Sequence, residues 1–201
     1  MRVLIPYLFQ AVAAFVAITL HEFTKAAVSA AMGDKKPAEQ GRLTLNPLKH
    51  FEFFGFFAMW YTGLGWGKPV ETSGVFYKDR RTGTLLTYCT PIAANLLAGL
   101  LFALSARAVS YAGVSYNTLV YILSFLRITA FYNVTLAIFN LIPVSPLSGA
   151  KILALFLKPN AAVAMSRYEK VFQIILLVLV FMGILSAAIN PAANFILRLA
   201  F

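Results

Sequence analysis

Residues 3–32 read VLIPYLFQAVAAFVAITLHEFTKAAVSAAM, an apolar run whose only charged side chains, Glu22 and Lys25, stand three positions apart. A membrane-crossing helix needs about 20 mostly apolar residues, so this run can span a bilayer with length to spare. After Pro6 neither proline nor glycine interrupts it until Gly33, which is where a helix is expected to stop. Arg2 followed by an apolar run also resembles a signal peptide. The run is about twice as long as such a core, and it carries His21, Glu22 and Lys25 where a polar cleavage region belongs. It reads as a retained spanning helix.

The remainder of the chain repeats this character. Of 201 residues, 60% are hydrophobic and 12% charged, against about 25% charged in soluble domains. Further long apolar segments lie at roughly 84–106, 118–142 and 171–190, and nothing between them could bury a separate core. The expected fold is one all-α integral membrane domain over residues 1–201. It is a polytopic helical bundle of about four to six transmembrane helices, with a short β-strand or re-entrant segment at the membrane surface. The shorter stretch FEFFGFFAMWYTGLGWG at 51–67 is punctuated by glycine and flanked by basic residues on both sides, so it suits a re-entrant or interfacial element. Its phenylalanines at 51, 53, 54, 56 and 57, with Trp60, Tyr61 and Trp66, are expected to form an aromatic belt. Alternation over Arg42 to Leu45 suggests the surface strand, and Asn46-Pro47 a turn after it.

A net charge of +10 would suggest nucleic acid in a soluble protein. Here the basic residues lie between apolar segments, chiefly in 33–81 and 143–170, and report topology instead. The positive-inside rule puts both loops in the cytoplasm and both termini outside. The expected location is a bacterial cell membrane, with the lipid bilayer as the first partner and no nucleic acid. Cys89 is alone in an apolar pattern and is expected to be a buried packing residue.

The chemistry centres on HEFTK at 21–25. In the motif H-E-x-x-H two imidazoles one helical turn apart hold Zn²⁺, and the glutamate acts as general base on the metal-bound water. His21 and Glu22 are in register. The second ligand position carries Lys25, an ammonium with three donors and no lone pair. Further along, NLIPVSPLSG at 140–149 must break the helix before it, which presents Asn140 and Ser148 at membrane depth.

Five segments together resemble the site-2 protease family of intramembrane zinc metalloproteases: HEFTKA at 21–26, GRLTLNPLKH at 41–50, GWGKPV at 65–70, KDRRTGTLLTYCTPIAANLL at 78–97 and NLIPVSPLSG at 140–149. They stand in the family's order over about three quarters of the chain. Thr90 stands where the family's G-P-x-x-N motif has glycine. The resemblance implies His21 as a zinc ligand, Glu22 as the general-base position, and Asn95 and Asn140 as candidates for lining a substrate groove. The third ligand, normally aspartate in N-x-x-P-x-x-x-x-D-G, falls on Ser148.

Two of three ligand positions are thus replaced, and the expectation is a homologue with a vestigial catalytic site and no cofactor. It would bind transmembrane segments or a membrane partner without cleaving them. Zinc belongs to the first alternative, an active intramembrane metalloendopeptidase with an unusual ligand set in which Glu22 activates water; a set of His21, Glu22 and His50 would use that carboxylate as ligand and leave no base. The second alternative is a small transporter or channel component using Glu22, Lys25 and Arg127 as a polar path. Arg127 could also snorkel from its apolar helix to the outer interface, and Asn95 and Asn140 could simply cross-link helices. Charge favours the first reading, because Lys25 and Glu22 share a helix face and cancel. The Lys25 ammonium is then expected at the metal position, bonded to Glu22 and to Ser148 or Asn140.

Overall fold

The structure is a computed structural model describing residues 4–200; Arg2, the N-terminal basic residue noted above, lies outside them. The helices in chain order are α1 (Leu4–Ala31), α2 (Lys36–Glu39), α3 (Pro47–His50), α4 (Phe53–Thr62), α5 (Arg80–Ser110), α6 (Tyr116–Leu141), α7 (Ser148–Ala154), α8 (Pro159–Arg167), α9 (Glu169–Phe181) and α10 (Ile184–Arg198), with a 3₁₀ turn at Gly74–Phe76. Helix α1 ends where the sequence places its stop. Gly33 takes φ +111°, and the amides of Gly33 and Asp34 bond the carbonyls of Ala30 and Ser29, closing the last turn in a Schellman arrangement. Asp79 caps α5 by accepting from the Arg81 amide at 3.0 Å.

Among the described residues, α1, α5 and α6 are each long and apolar enough to cross a membrane, and α9 with α10 make a fourth span only if taken together. That revises the expected four to six spans to three or four. The segment 171–190 is not one helix: its two halves are bent by 70° at Gly183, whose φ of +74° no right-handed helix continues. Hydropathy alone cannot register such a break, because Val180 and Ile189 on either side both turn into the core.

The expected surface strand is absent among the described residues, where residues 41–46 form an irregular loop leading to α3. A strand needs a backbone partner for its ladder. Here side chains satisfy the loop instead: His50 Nε2 lies 2.8 Å from the Thr44 carbonyl, and Asn46 Oδ1 accepts from the Leu48 amide at 3.1 Å. The alternation arises because Arg42 points inward while Leu43 and Leu45 point out.

Small residues let the three long helices approach closely, as membrane helix interfaces favour. Ala13, Ala14 and Ala17 of α1 are fully buried in the main core with Met59, Leu136 and Phe139. A second cluster joins Ala103 and Ala130 to Ala193 and Leu197 of α10. Two expectations change here. The aromatic segment divides, with Phe53, Phe54, Phe57 and Tyr61 exposed while Phe56 and Trp66 are buried, and Phe51 packs in tilted ring contacts against Phe15 and Phe56. Cys89 lies on the exposed side of α5 rather than in the core, because Thr87 and Pro91 take the inward positions on that helix.

Candidate functional site

Helical spacing puts Ala14, Ala17, Ile18, His21, Glu22, Lys25 and Ser29 on the buried side of α1. Lys25 and Glu22 are 7% and 5% exposed, and the Lys25 ammonium donates to Glu22 Oε1 at 2.8 Å. Glu22 Oε2 accepts from the Val70 amide, also at 2.8 Å. Both carboxylate oxygens are therefore engaged, one by a cation of the same helix and one by backbone from a segment nearly fifty residues away.

The His21 ring is held between two other helices, α5 and α7. Its Nδ1 lies 2.8 Å from Asn95 Oδ1, while Asn95 Nδ2 donates to the Ala17 carbonyl and to Asn133 Oδ1. Ala17 O can only accept, which fixes the orientation of the Asn95 amide and makes His21 Nδ1 the donor. In the neutral ring Nε2 is then an acceptor, and it faces Ser148 Oγ at 3.4 Å. The Ser148 amide in turn meets Asn140 Oδ1 at 3.4 Å, and Asn140 Nδ2 donates to the Leu136 carbonyl. The expected site residues His21, Glu22, Lys25, Ser148, Asn95 and Asn140 thus converge. Their pairing departs from expectation in one respect: Lys25 bonds Glu22, whereas Ser148 pairs with Asn140 and with His21.

The peptide from Gly63 to Ser73 lies as a strap across this face. Gly67 passes so close to α1 that a Cβ there would stand 2.4 Å from Ile18 Cγ2 and 2.8 Å from the His50 carbonyl. The His50 carbonyl accepts from the Lys68 amide at 2.8 Å, the Arg42 guanidinium donates to the Lys68 carbonyl, and Asp34 accepts from the Ser73 amide at 2.6 Å. Gly67→Ala must displace backbone, and overpacking of this kind costs about 1–3 kcal/mol. A lowered unfolding midpoint in detergent checks it, and an unchanged midpoint would show that the strap is loosely held.

His50, fully buried, supports this strap through its carbonyl and both ring nitrogens. With Nε2 donating to Thr44 O, its Nδ1 faces the Arg42 guanidinium at 3.4 Å. Burial foremost, with the Arg42 charge beside it, lowers its pKa below the ordinary value, whereas its bond to Thr44 works the other way. The folded state therefore favours neutral His50. Its contribution to stability is complete above about pH 6.5, the unfolded value, and is lost as pH falls through the folded pKa. Stability of the wild type should decline on acidification from pH 6.5, and His50→Gln should flatten that part of the profile.

Beside His21, Glu22 and Lys25 lies a cavity of about 20 Å³, bordered also by Trp66, Asn140 and Leu147. It has room for one water-sized molecule. A catalytic zinc of the kind the resemblance implies needs three protein donors about one point, with water in the fourth place. Two of those positions carry an ammonium and a hydroxyl, and both oxygens of Glu22 are already bonded. Among the described residues, no three His, Cys, Asp or Glu side chains gather where they could share an ion. The donor set does not fit such a metal centre.

Sequence reasoning did not find Val70, Asn133 or Arg42. Asn133 and Arg42 left a faint signal, an amide in the apolar run 118–142 and a basic residue just before the expected strand. Val70 left none, because a backbone amide carries no side-chain signature.

No protein-family model matches the chain, and no solved structure matches it. A protein of Bacillus subtilis (strain 168) named "Putative zinc metalloprotease YwhC" is 32% identical over 195 residues, which cover 95% of this chain and 87% of that protein.

Proposed function

Because the chain belongs to the metalloprotease family of that Bacillus protein, we propose that it is a site-2-protease-like membrane protein that has exchanged its catalytic zinc for an internal ion pair. It then binds transmembrane segments without hydrolysing them. The observation that carries this reading is the 2.8 Å contact between Lys25 Nζ and Glu22 Oε1. It supports a reading in which a tethered cation takes the second ligand position and engages the carboxylate that would otherwise activate water. A buried pair neutralises itself, whereas either charge alone would be costly at membrane depth.

In this reading His21 is a structural hydrogen-bonding residue, and Glu22 is vestigial as a base. Asn140, which borders the small cavity, is the groove candidate best placed to meet a bound segment. Asn95 spends its amide inside the bundle and acts as a cross-link. The protein sits in a bacterial cell membrane with the loops 33–81 and 143–170 on the cytoplasmic side.

Metal analysis of full-length protein purified without chelator tests the reading, with a transmembrane reporter as its companion assay. Less than about one zinc per ten chains is expected, with no cleavage above a Glu22→Gln control. One zinc per chain, or cleavage that Glu22→Gln abolishes, would overturn it.

A further inference from the structure

The cavity of about 20 Å³ beside His21, Glu22 and Lys25 is closed on one side by Trp66, Gly67 and Pro69 of the strap. It has room for one water, far too little for a transmembrane segment. The strap over it has two unlike halves. Residues 63–67 are wedged under α4: a Cβ on Gly65 would stand 2.7 Å from the Met59 amide nitrogen, and one on Gly55 2.7 Å from Trp66 Cδ1. Residues 68–73 are held differently. Lys68, Pro69 and Glu71 are exposed, and only Val70 among them is buried. Their tethers are chiefly side chains reaching in from other segments. Arg42 donates to the Lys68 carbonyl, and Glu22 accepts from the Val70 amide at 2.8 Å. The Gln40 amide makes two bonds of 3.4 Å with the Glu71 backbone. The Thr72 and Tyr88 hydroxyls lie 2.9 Å apart, and Asp34 accepts from the Ser73 amide at 2.6 Å.

We propose that residues 68–73 form a lid that opens to admit a bound segment to the HEFTK cavity, while residues 63–67 and the Lys25–Glu22 pair stay in place. Lids are short segments whose few hinge positions absorb the backbone rotation. Gly67 and Gly74 bound this one, and a glycine turns with least steric resistance. Local opening is cheapest where few buried apolar contacts are lost, and here Val70 is the one buried side chain that must leave. Opening takes the Val70 amide from Glu22 but leaves Lys25 bonded to it at 2.8 Å. No charge is stranded. Without the lysine, the open lid would leave a carboxylate with neither partner, which is costly in a low-dielectric site. The ion pair therefore lets the lid move. That the entering group is a transmembrane segment rests on the function proposed above; the opening itself does not.

Hydrogen exchange on the full chain in phosphatidylcholine nanodiscs, resolved by fragment mass spectrometry, tests the lid without a ligand. The amides of residues 68–73 should exchange by local opening, about a hundredfold faster than those of α1 and α6. Tyr88→Phe combined with Gln40→Ala removes the tethers on Thr72 and Glu71. It should speed exchange in the lid about tenfold and leave α6 unchanged. Exchange at Val70 as slow as in α6, or no faster in the double variant, overturns the proposal. A second experiment reads access. In a Cys89→Ser background, Gln40→Cys and Glu71→Cys are joined by a short thiol-reactive cross-linker, and binding of a leucine-rich transmembrane peptide of about 20 residues is measured before and after. Apparent affinity scales with the open fraction, so locking should weaken binding about tenfold or more. Equal binding by locked and unlocked protein overturns the lid. Binding by neither form sinks the transmembrane reading instead, and the exchange result alone then decides the lid.

Discussion

Lys25→Met should be among the most damaging single substitutions in this protein, lowering stability by about 3–5 kcal/mol. The change removes the cation and leaves a carboxylate 5% exposed, bonded only by the Val70 amide. Methionine fills nearly the same volume, so packing loss contributes little. The loss should be coupled to its partner. Combining Lys25→Met with Glu22→Gln removes both charges, and the double variant should recover most of the stability. Unfolding in mixed micelles, read as a double-mutant cycle, measures the coupling. If the double variant is as unstable as the sum of the singles, the two side chains act independently and the ion pair is not what holds this face together.

The second large effect concerns metal. Lys25→His combined with Ser148→Asp should carry the protein from no bound zinc to about one per chain. The scaffold supports that expectation: position 25 lies one turn from His21 on the same buried face, and Ser148 Oγ already stands 3.4 Å from His21 Nε2. Zinc bonds to nitrogen and oxygen are about 2.0–2.2 Å long, so a carboxylate at 148 can share an ion with that nitrogen. The His21 ring is pre-oriented by Asn95, the kind of support that fixes a metal ligand's tautomer. Zinc stoichiometry of the double variant, and its loss when His21→Ala is added, reads the outcome. A folded double variant without zinc would mean that the backbone has drifted from metal-binding geometry, and that more than two side chains separate this chain from a metalloenzyme.

The ion pair was legible from spacing alone, since residues three apart on a helix share a face and the burial of α1 does the rest. Ser148 was legible as the residue presented after the Pro143 and Pro146 break, but its partner was not. Position relative to a helix break says nothing of which side chain from another element arrives opposite. Arg42 to Leu45 shows the converse failure. A period of two marks alternating environments, and here it came from one arginine turned inward beneath a strap rather than from a sheet.

Taken by itself, the sequence determined that the chain is helical with apolar helices long enough to cross a membrane, that the first of them stops at Gly33, and that Glu22 and Lys25 share a helix face where they can neutralise one another. These are short-range consequences of hydropathy, helix stop signals and a 3.6-residue period. Only the tertiary structure decided that His21 pairs with Asn95 and Ser148, that the Val70 amide closes the second oxygen of Glu22, that the last apolar segment is bent at Gly183, and that Arg127 borders a cavity apart from Glu22 and Lys25. Each of these depends on how elements dozens of residues apart pack together, and a hydrogen bond of about 3 Å is decided by shifts far smaller than any pattern in the chain can encode.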